Sequence, residues 1–218
     1  DSRELATTAK EMGLFNQVGF QLRFSPVVTF IKKILIGEEK PERSLKNLDL
    51  SILSPQFIGV KNSDIGMKRG GVEWDLLPHV LDLSNFLTGA KVLEEIFVED
   101  SNMSSWTSVN AKIKSKGVRC NLLADWACSE VRKVEIKGVL EFSDGETLSF
   151  DSDKIWESGG KQVFHRRFGR NPFFEVADHE YSEQMGHIAE NILQNSTMPA
   201  ADFEAGLLVD EIIQLMGG

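Results

Sequence analysis

The chain has 218 residues, 41% hydrophobic and 26% charged, with a formal net charge of −9 at pH 7. That length can bury a substantial core, and the balance is that of a folded globular chain rather than a disordered one. The negative field disfavours non-specific contact with nucleic acid or anionic membranes, and no apolar run approaches the roughly 20 residues that span a bilayer.

In chain order, "DSRELATTAKEMG" lacks an apolar signal region and an initiating methionine, and reads as mid-helix, so the chain is expected to be a piece of something longer. Leu5, Ala9 and Met12 share a face of a helix over 2–12, with Gly13 as its C-cap. "LFNQVGFQLRF" (14–24) is rich in β-formers and predicts a strand. Pro26 opens a second helix with a stripe of Val27, Phe30, Ile31, Ile34 and Leu35, ended by Gly37. Residues 38–70 are polar and turn-rich, with a short strand expected at 55–60. A helix follows over roughly 75–88.

From residue 90 the apolar period becomes two. Strands are expected at 90–100, 107–115, 118–128, 131–143 and 146–151, with "SDGE" (143–146) as the tight turn between the last two. Residues 152–176 read as a long polar loop, and helices over 178–194 and 201–216 close the chain. The two cysteines, Cys120 and Cys128, both fall in strand-like stretches and match no metal-binding spacing. A disulfide framework is not expected, and a cytoplasmic setting fits best. A consecutive block of strands flanked by helices predicts an α+β fold: an open, mostly antiparallel β-sheet with helices packed on one face.

The segment "RGGVEWDLLPHVLDLSNFLTG" (69–89) carries Asp75, His79 and Asp82 on one helical face, at spacings of four and three. A histidine beside a carboxylate gains a fixed ring and a raised pKa, as proton transfer near neutral pH requires. Spacing alone favours an ordinary capped helix, with Asp75 as N-cap, Pro78 in the first turn and Asp82 fixing His79 structurally. "KQVFHRRFGR" (161–170) interleaves basic side chains with phenylalanines. It reads either as a solvated loop or as an anion contact. His179 and His187 lie eight residues apart on a helix, too far to share a metal, and no metal site is expected. The chain holds no G-x-G-x-x-G and no P-loop sequence.

Four ordered pieces resemble the C-terminal domain of the Gfo/Idh/MocA oxidoreductases: "VGFQLRFSPVVTFIKKILIGE", "GGVEWDLLPHVLDLSNFLTG", "VRKVEIKGVLEFSDGETLSFD" and "YSEQMGHIAENILQNSTMPAADFEAGLLVDEIIQLM". Together they span nearly the whole chain. The resemblance implies a two-domain protein whose N-terminal Rossmann half binds NAD or NADP. Its C-terminal half carries most of a sugar, nucleotide-sugar or cyclitol site and makes a homo-oligomer through its sheet. By that resemblance His79 is the acid/base, Asp75 positions substrate and tunes His79, and Arg23 stands at the domain junction. Apart from the resemblance, the arginine-bearing loop suggests an anionic substrate such as a nucleotide-sugar, with Arg166, Arg167 or Arg170 meeting its phosphate.

Where the sequence departs from the family, the Rossmann half is absent. The "EKP" at 39–41 lies on the wrong side of the Arg-x-x-Pro segment, so Lys40 is not the family's catalytic lysine. Residues 1–218 are therefore expected to be a single substrate-binding and oligomerisation domain, with 1–13 as a remnant helix linking to the missing half. It would hold no cofactor and be inactive alone, with its own Rossmann half and a sugar as partners and neither nucleic acid nor membrane. The alternative is a non-catalytic sugar-sensing or oligomerisation module of the same fold.

Overall fold

The computed structural model describes residues 1–39, 43–55, 71–105, 107–126, 128, 130–131, 134–166, 176–194 and 200–217. Within them the chain forms five α-helices and an eight-stranded sheet. The helices are α1 (Ser2–Glu11), α2 (Pro26–Leu35), α3 (Val72–Thr88), α4 (Val176–Leu193) and α5 (Phe203–Leu215). The strands are β1 (Leu45–Leu53), β2 (Ile96–Ser105), β3 (Ser108–Ser115), β4 (Val118–Asp125), β5 (Glu135–Phe142), β6 (Thr147–Phe150), β7 (Lys154–Glu157) and β8 (Gln162–His165).

In space the strands run β2-β3-β4-β1-β5-β6-β7-β8. Every neighbouring pair is antiparallel except β1 with β4, which run parallel with Leu50 opposite Leu122. The expected open, mostly antiparallel sheet is therefore present, and the parallel pair makes it mixed.

Alternation along each strand decides which face is covered. Leu48, Leu50 and Ile52 of β1, Val109, Ala111 and Ile113 of β3, and Cys120, Leu122 and Ala124 of β4 all point into the core. Helix α3 lies across β1, β3 and β4, burying Leu77, Val80, Leu81 and Leu87, while α5 supplies Leu208, Val209, Ile212 and Ile213. The opposite face of the sheet carries Asp49, Asn110, Lys112, Asn121 and Lys137. At Gly138 of β5 the Phe150 ring and the Asp49 carbonyl come so near that an added Cβ would lie 2.5 and 2.6 Å from them.

Three expectations need correction. Residues 14–24 are not a strand: the segment is irregular to Phe20 and then makes a 3₁₀ turn at Gln21–Phe24. Among the described residues no strand pairs with it; the Val18 N–H donates to the Ala201 carbonyl at 2.8 Å, and Phe20 and Leu22 fill the core between helices. Strand β1 sits in a stretch expected to be loop, because its Leu-x-Leu-x-Ile alternation is embedded among Lys46, Asn47, Asp49 and Ser51. The polar loop expected after residue 151 contains β7 and β8, with Gly159 and Gly160 at positive φ between them. The strand expected at 55–60 lies outside the described residues. Among the described residues no helix is long and apolar enough to cross a membrane.

Candidate active site

Helix α3 begins three residues earlier than its sequence suggests. Gly71 is its N-cap at φ 77°, a conformation open to glycine, and Gly89 closes it at φ 79° with its N–H on the Asn85 carbonyl at 2.8 Å. Asp75 is therefore not the N-cap, and Pro78 lies inside the helix rather than in its first turn. Lacking an N–H, Pro78 cannot donate to the Trp74 carbonyl one turn back.

Asp75 and His79 remain neighbours across one helical turn, Asp75 exposed and His79 largely buried. Phe20 packs edge-on against the imidazole, with ring centroids 5.9 Å apart at 78°. Nδ1 of His79 is sealed from solvent and has no hydrogen-bond partner among the described residues. Burial pushes the imidazole pKa below its ordinary 6.5, and the charge of Asp75 pulls it back up. The ring is thus neutral at physiological pH and able to take a proton. The Asp75 carboxylate accepts a hydrogen bond from Trp126 Nε1 at 2.9 Å, through its Oδ2.

Asp82 does not serve His79. It is 2% exposed and receives Arg23 in a fork, with Arg23 Nε at 2.9 Å from Oδ2 and 3.2 Å from Oδ1, and Nη2 at 2.5 Å from Oδ1. Arg23 Nη1 donates to the Ala200 carbonyl, and the guanidinium lies 5.1 Å from the centroid of Phe86 and 5.9 Å from that of Phe20. Burial raises the Asp82 carboxyl to about 6, and Arg23 holds it down against that. The reason lies in helix geometry. A step of three residues turns the side chain off the Asp75–His79 line, toward the 3₁₀ turn that carries Arg23.

Arg166 is neither solvated nor on an open loop. It follows directly on β8 at 7% exposure, with Nη1 donating to the fully buried Glu180 of α4 at 2.7 Å. Arg167, Arg170 and Lys40 lie outside the described residues. His179 is exposed, whereas His187 packs on Phe24 with ring centroids 5.5 Å apart. Among the described residues no group of three His, Cys, Asp or Glu could hold a metal ion.

The residue that spacing did not reveal is Trp126. Its signal was present as a tryptophan ending the alternation "NLLAD", since a half-buried indole N–H requires an acceptor. A groove of about 280 Å³ opens beside this cluster, walled by Leu5, Val18, Phe20, Pro78, Phe203 and Leu207. A larger hollow of about 680 Å³ lies on the uncovered face of the sheet.

No family model matches the chain, and no curated protein matches it by sequence. Solved structures do match in fold. Levoglucosan dehydrogenase in complex with NADH and levoglucosan superposes with a TM-score of 0.77 at 16% identity, over 99% of this chain and 68% of that one. UDP-N-acetylglucosamine 3-dehydrogenase from Acidithiobacillus ferrooxidans gives 0.70 at 18% identity, over 99% and 65%. A myo-inositol dehydrogenase from Corynebacterium glutamicum gives 0.69 at 20%, over 99% and 66%. The chain thus spans about two thirds of the length of these dehydrogenases. The resemblance read from the sequence holds at the level of fold: the chain has the architecture of a Gfo/Idh/MocA C-terminal domain.

Proposed function

We propose that the chain is the substrate-binding C-terminal domain of an oxidoreductase that moves a hydride between NAD or NADP and a hydroxyl of a sugar, nucleotide-sugar or cyclitol. The observation that carries this reading is the pair on α3: a largely buried, neutral His79 one turn from an ionisable Asp75. A neutral imidazole accepts the hydroxyl proton as the carbon loses its hydride, and Asp75 orients the hydroxyl and steadies the imidazolium that forms. The nicotinamide, when bound, would accept the hydride. Its dinucleotide would be held outside this chain, since the sequence carries no G-x-G-x-x-G cradle.

The test uses the protein at its full gene-encoded length. Levoglucosan, myo-inositol and UDP-N-acetylglucosamine are offered with NAD or NADP, and reduced nicotinamide is followed. On the substrate that turns over, His79→Ala lowers kcat by about 10²–10⁴, the usual worth of general acid–base help. A kcat within a few-fold of wild type refutes the assignment.

Two further parts of the reading concern partners. Assembly would use the uncovered sheet face, where Asp100, Lys112, Asn121 and Asp49 form one transverse row of alternating character. Val139→Arg in that face then yields monomers in size-exclusion light scattering, and an unchanged mass refutes it. Arg167 and Arg170 would meet the phosphate of an anionic substrate, in which case a nucleotide-sugar binds more tightly than its free sugar. Equal affinity refutes that. The setting is taken to be cytoplasmic.

A further inference from the structure

Trp126 follows β4, and its place is set by the backbone. Its N–H donates to the Thr107 carbonyl at 2.7 Å, and the Asp125 carbonyl accepts from Ser54 N–H at 2.7 Å. The strand end is thus stitched on both sides, and the half-buried indole rests against the core. From there Nε1–H reaches across to Asp75 Oδ2 on α3 at 2.9 Å. An indole nitrogen only donates, so this is a hydrogen bond to the carboxylate as acceptor.

A carboxylate one turn from a histidine has two uses. It can clamp the ring through an N–H···O bond, or it can accept a hydroxyl from the substrate. In this structure Asp75 makes no hydrogen bond to His79 among the described residues; it acts on the ring through space. We propose that Trp126 is a positioning residue, holding Oδ2 of Asp75 away from His79 so that the other carboxylate oxygen is left for a substrate hydroxyl. The inference rests on the acid–base reading of His79 given above.

Other charged groups around His79 are already engaged. Arg23 stands beyond Phe20 in its pair with Asp82. Asp210 of α5, which lines the groove with Phe20 and Pro78, accepts from the Ser2 hydroxyl. Lys32 of α2 sits toward the other end of α3, on the Phe86 carbonyl at 2.6 Å. Trp126 itself is neutral, so its removal adds no charge and changes only where Asp75 points.

The test is a histidine titration by NMR of the full-length protein, ¹³C-labelled at histidine Cε1, with the His79 signal identified by its loss in His79→Gln. Trp126→Phe keeps a ring and removes the donor, freeing Asp75 to swing onto His79. The His79 midpoint then rises above the wild-type value by about one unit, the size of shift a contacting carboxylate imposes. A midpoint that stays or falls overturns the proposal. Hydration of a loosened ring would also raise the midpoint, so the Trp126→Phe/Asp75→Asn double variant separates the causes. The rise vanishes in the double variant if Asp75 carries it, and a rise that persists overturns the proposal. In otherwise wild-type protein, Asp75→Asn shifts the ¹⁵N–¹H signal of the Trp126 indole, and an unmoved signal overturns it even if Trp126→Phe does not fold. These outcomes are independent of turnover, so failure of the His79→Ala experiment and failure of this one remain distinguishable.

Discussion

Asp82→Asn isolates the cost of keeping a carboxylate inside this fold. Asp82 is 2% exposed, and its carboxyl titrates at about 6 against an ordinary 3.8, because desolvation outweighs the fork from Arg23. A folded pKa above the unfolded one means that the group favours folding most when protonated. Its contribution is fully present below 3.8 and is lost as pH rises through about 6. At about 1.4 kcal/mol per unit, the gap of about two units is worth roughly 3 kcal/mol. Asparagine keeps the shape and one acceptor for Arg23 but does not titrate. The stability of wild type relative to Asp82→Asn should therefore fall by about 2.5 kcal/mol between pH 4 and pH 7, with the steepest change near pH 5. Urea unfolding of both proteins at closely spaced pH values measures that difference directly. A difference that is flat, or that grows with pH, would refute the claim that burial dominates Arg23 at this site.

Other substitutions probe the frame and the site. Gly138→Ala drives a methyl toward the Phe150 ring and the Asp49 carbonyl, one of them backbone, and should cost about 1–3 kcal/mol in a denaturant titration; a neutral result would mean that β5 can shift. His79 has a folded pKa below its unfolded 6.5, so its contribution to stability is lost as pH falls from 6.5 toward the folded value. His79→Phe removes that acid-side loss, and its stability should exceed expectation at pH 5 relative to pH 7 when compared with wild type. A parallel pH dependence in the two proteins would show that the imidazole is not desolvated.

Much of this molecule was legible from its residues because the period of the apolar pattern changes where the structure changes. The stripe from Val27 to Leu35 and the alternation of β3 and β4 each bury the face they announce. Failures came where local preference and tertiary need diverge. Phe20 and Leu22 are β-formers spent on filling core around a 3₁₀ turn, while β1 hides its alternation among polar residues that face the sheet's uncovered side. Within the site, the i, i+4 spacing of Asp75 and His79 is a property of one helix and could be read directly. Partners from other elements could not: Arg23 for Asp82, Glu180 for Arg166 and Trp126 for Asp75 are brought together only by packing.

The position of β1 has a consequence for how the chain folds. Strands β2-β3-β4 and β5-β6-β7-β8 are two antiparallel meanders built from near neighbours in sequence, and β1 is the single strand that joins them. Asn47 must find Arg119, 72 residues onward, and Glu141, 94 residues onward. Contacts that distant are entropically costly to close and tend to form late. Until residues 45–53 insert, each meander presents a bare edge, β4 on one and β5 on the other, and such edges invite pairing with other chains. Within this sheet the strand synthesised first is thus the one expected to insert last. A chain lacking it would hold two half-sheets whose open edges favour aggregation over a folded monomer.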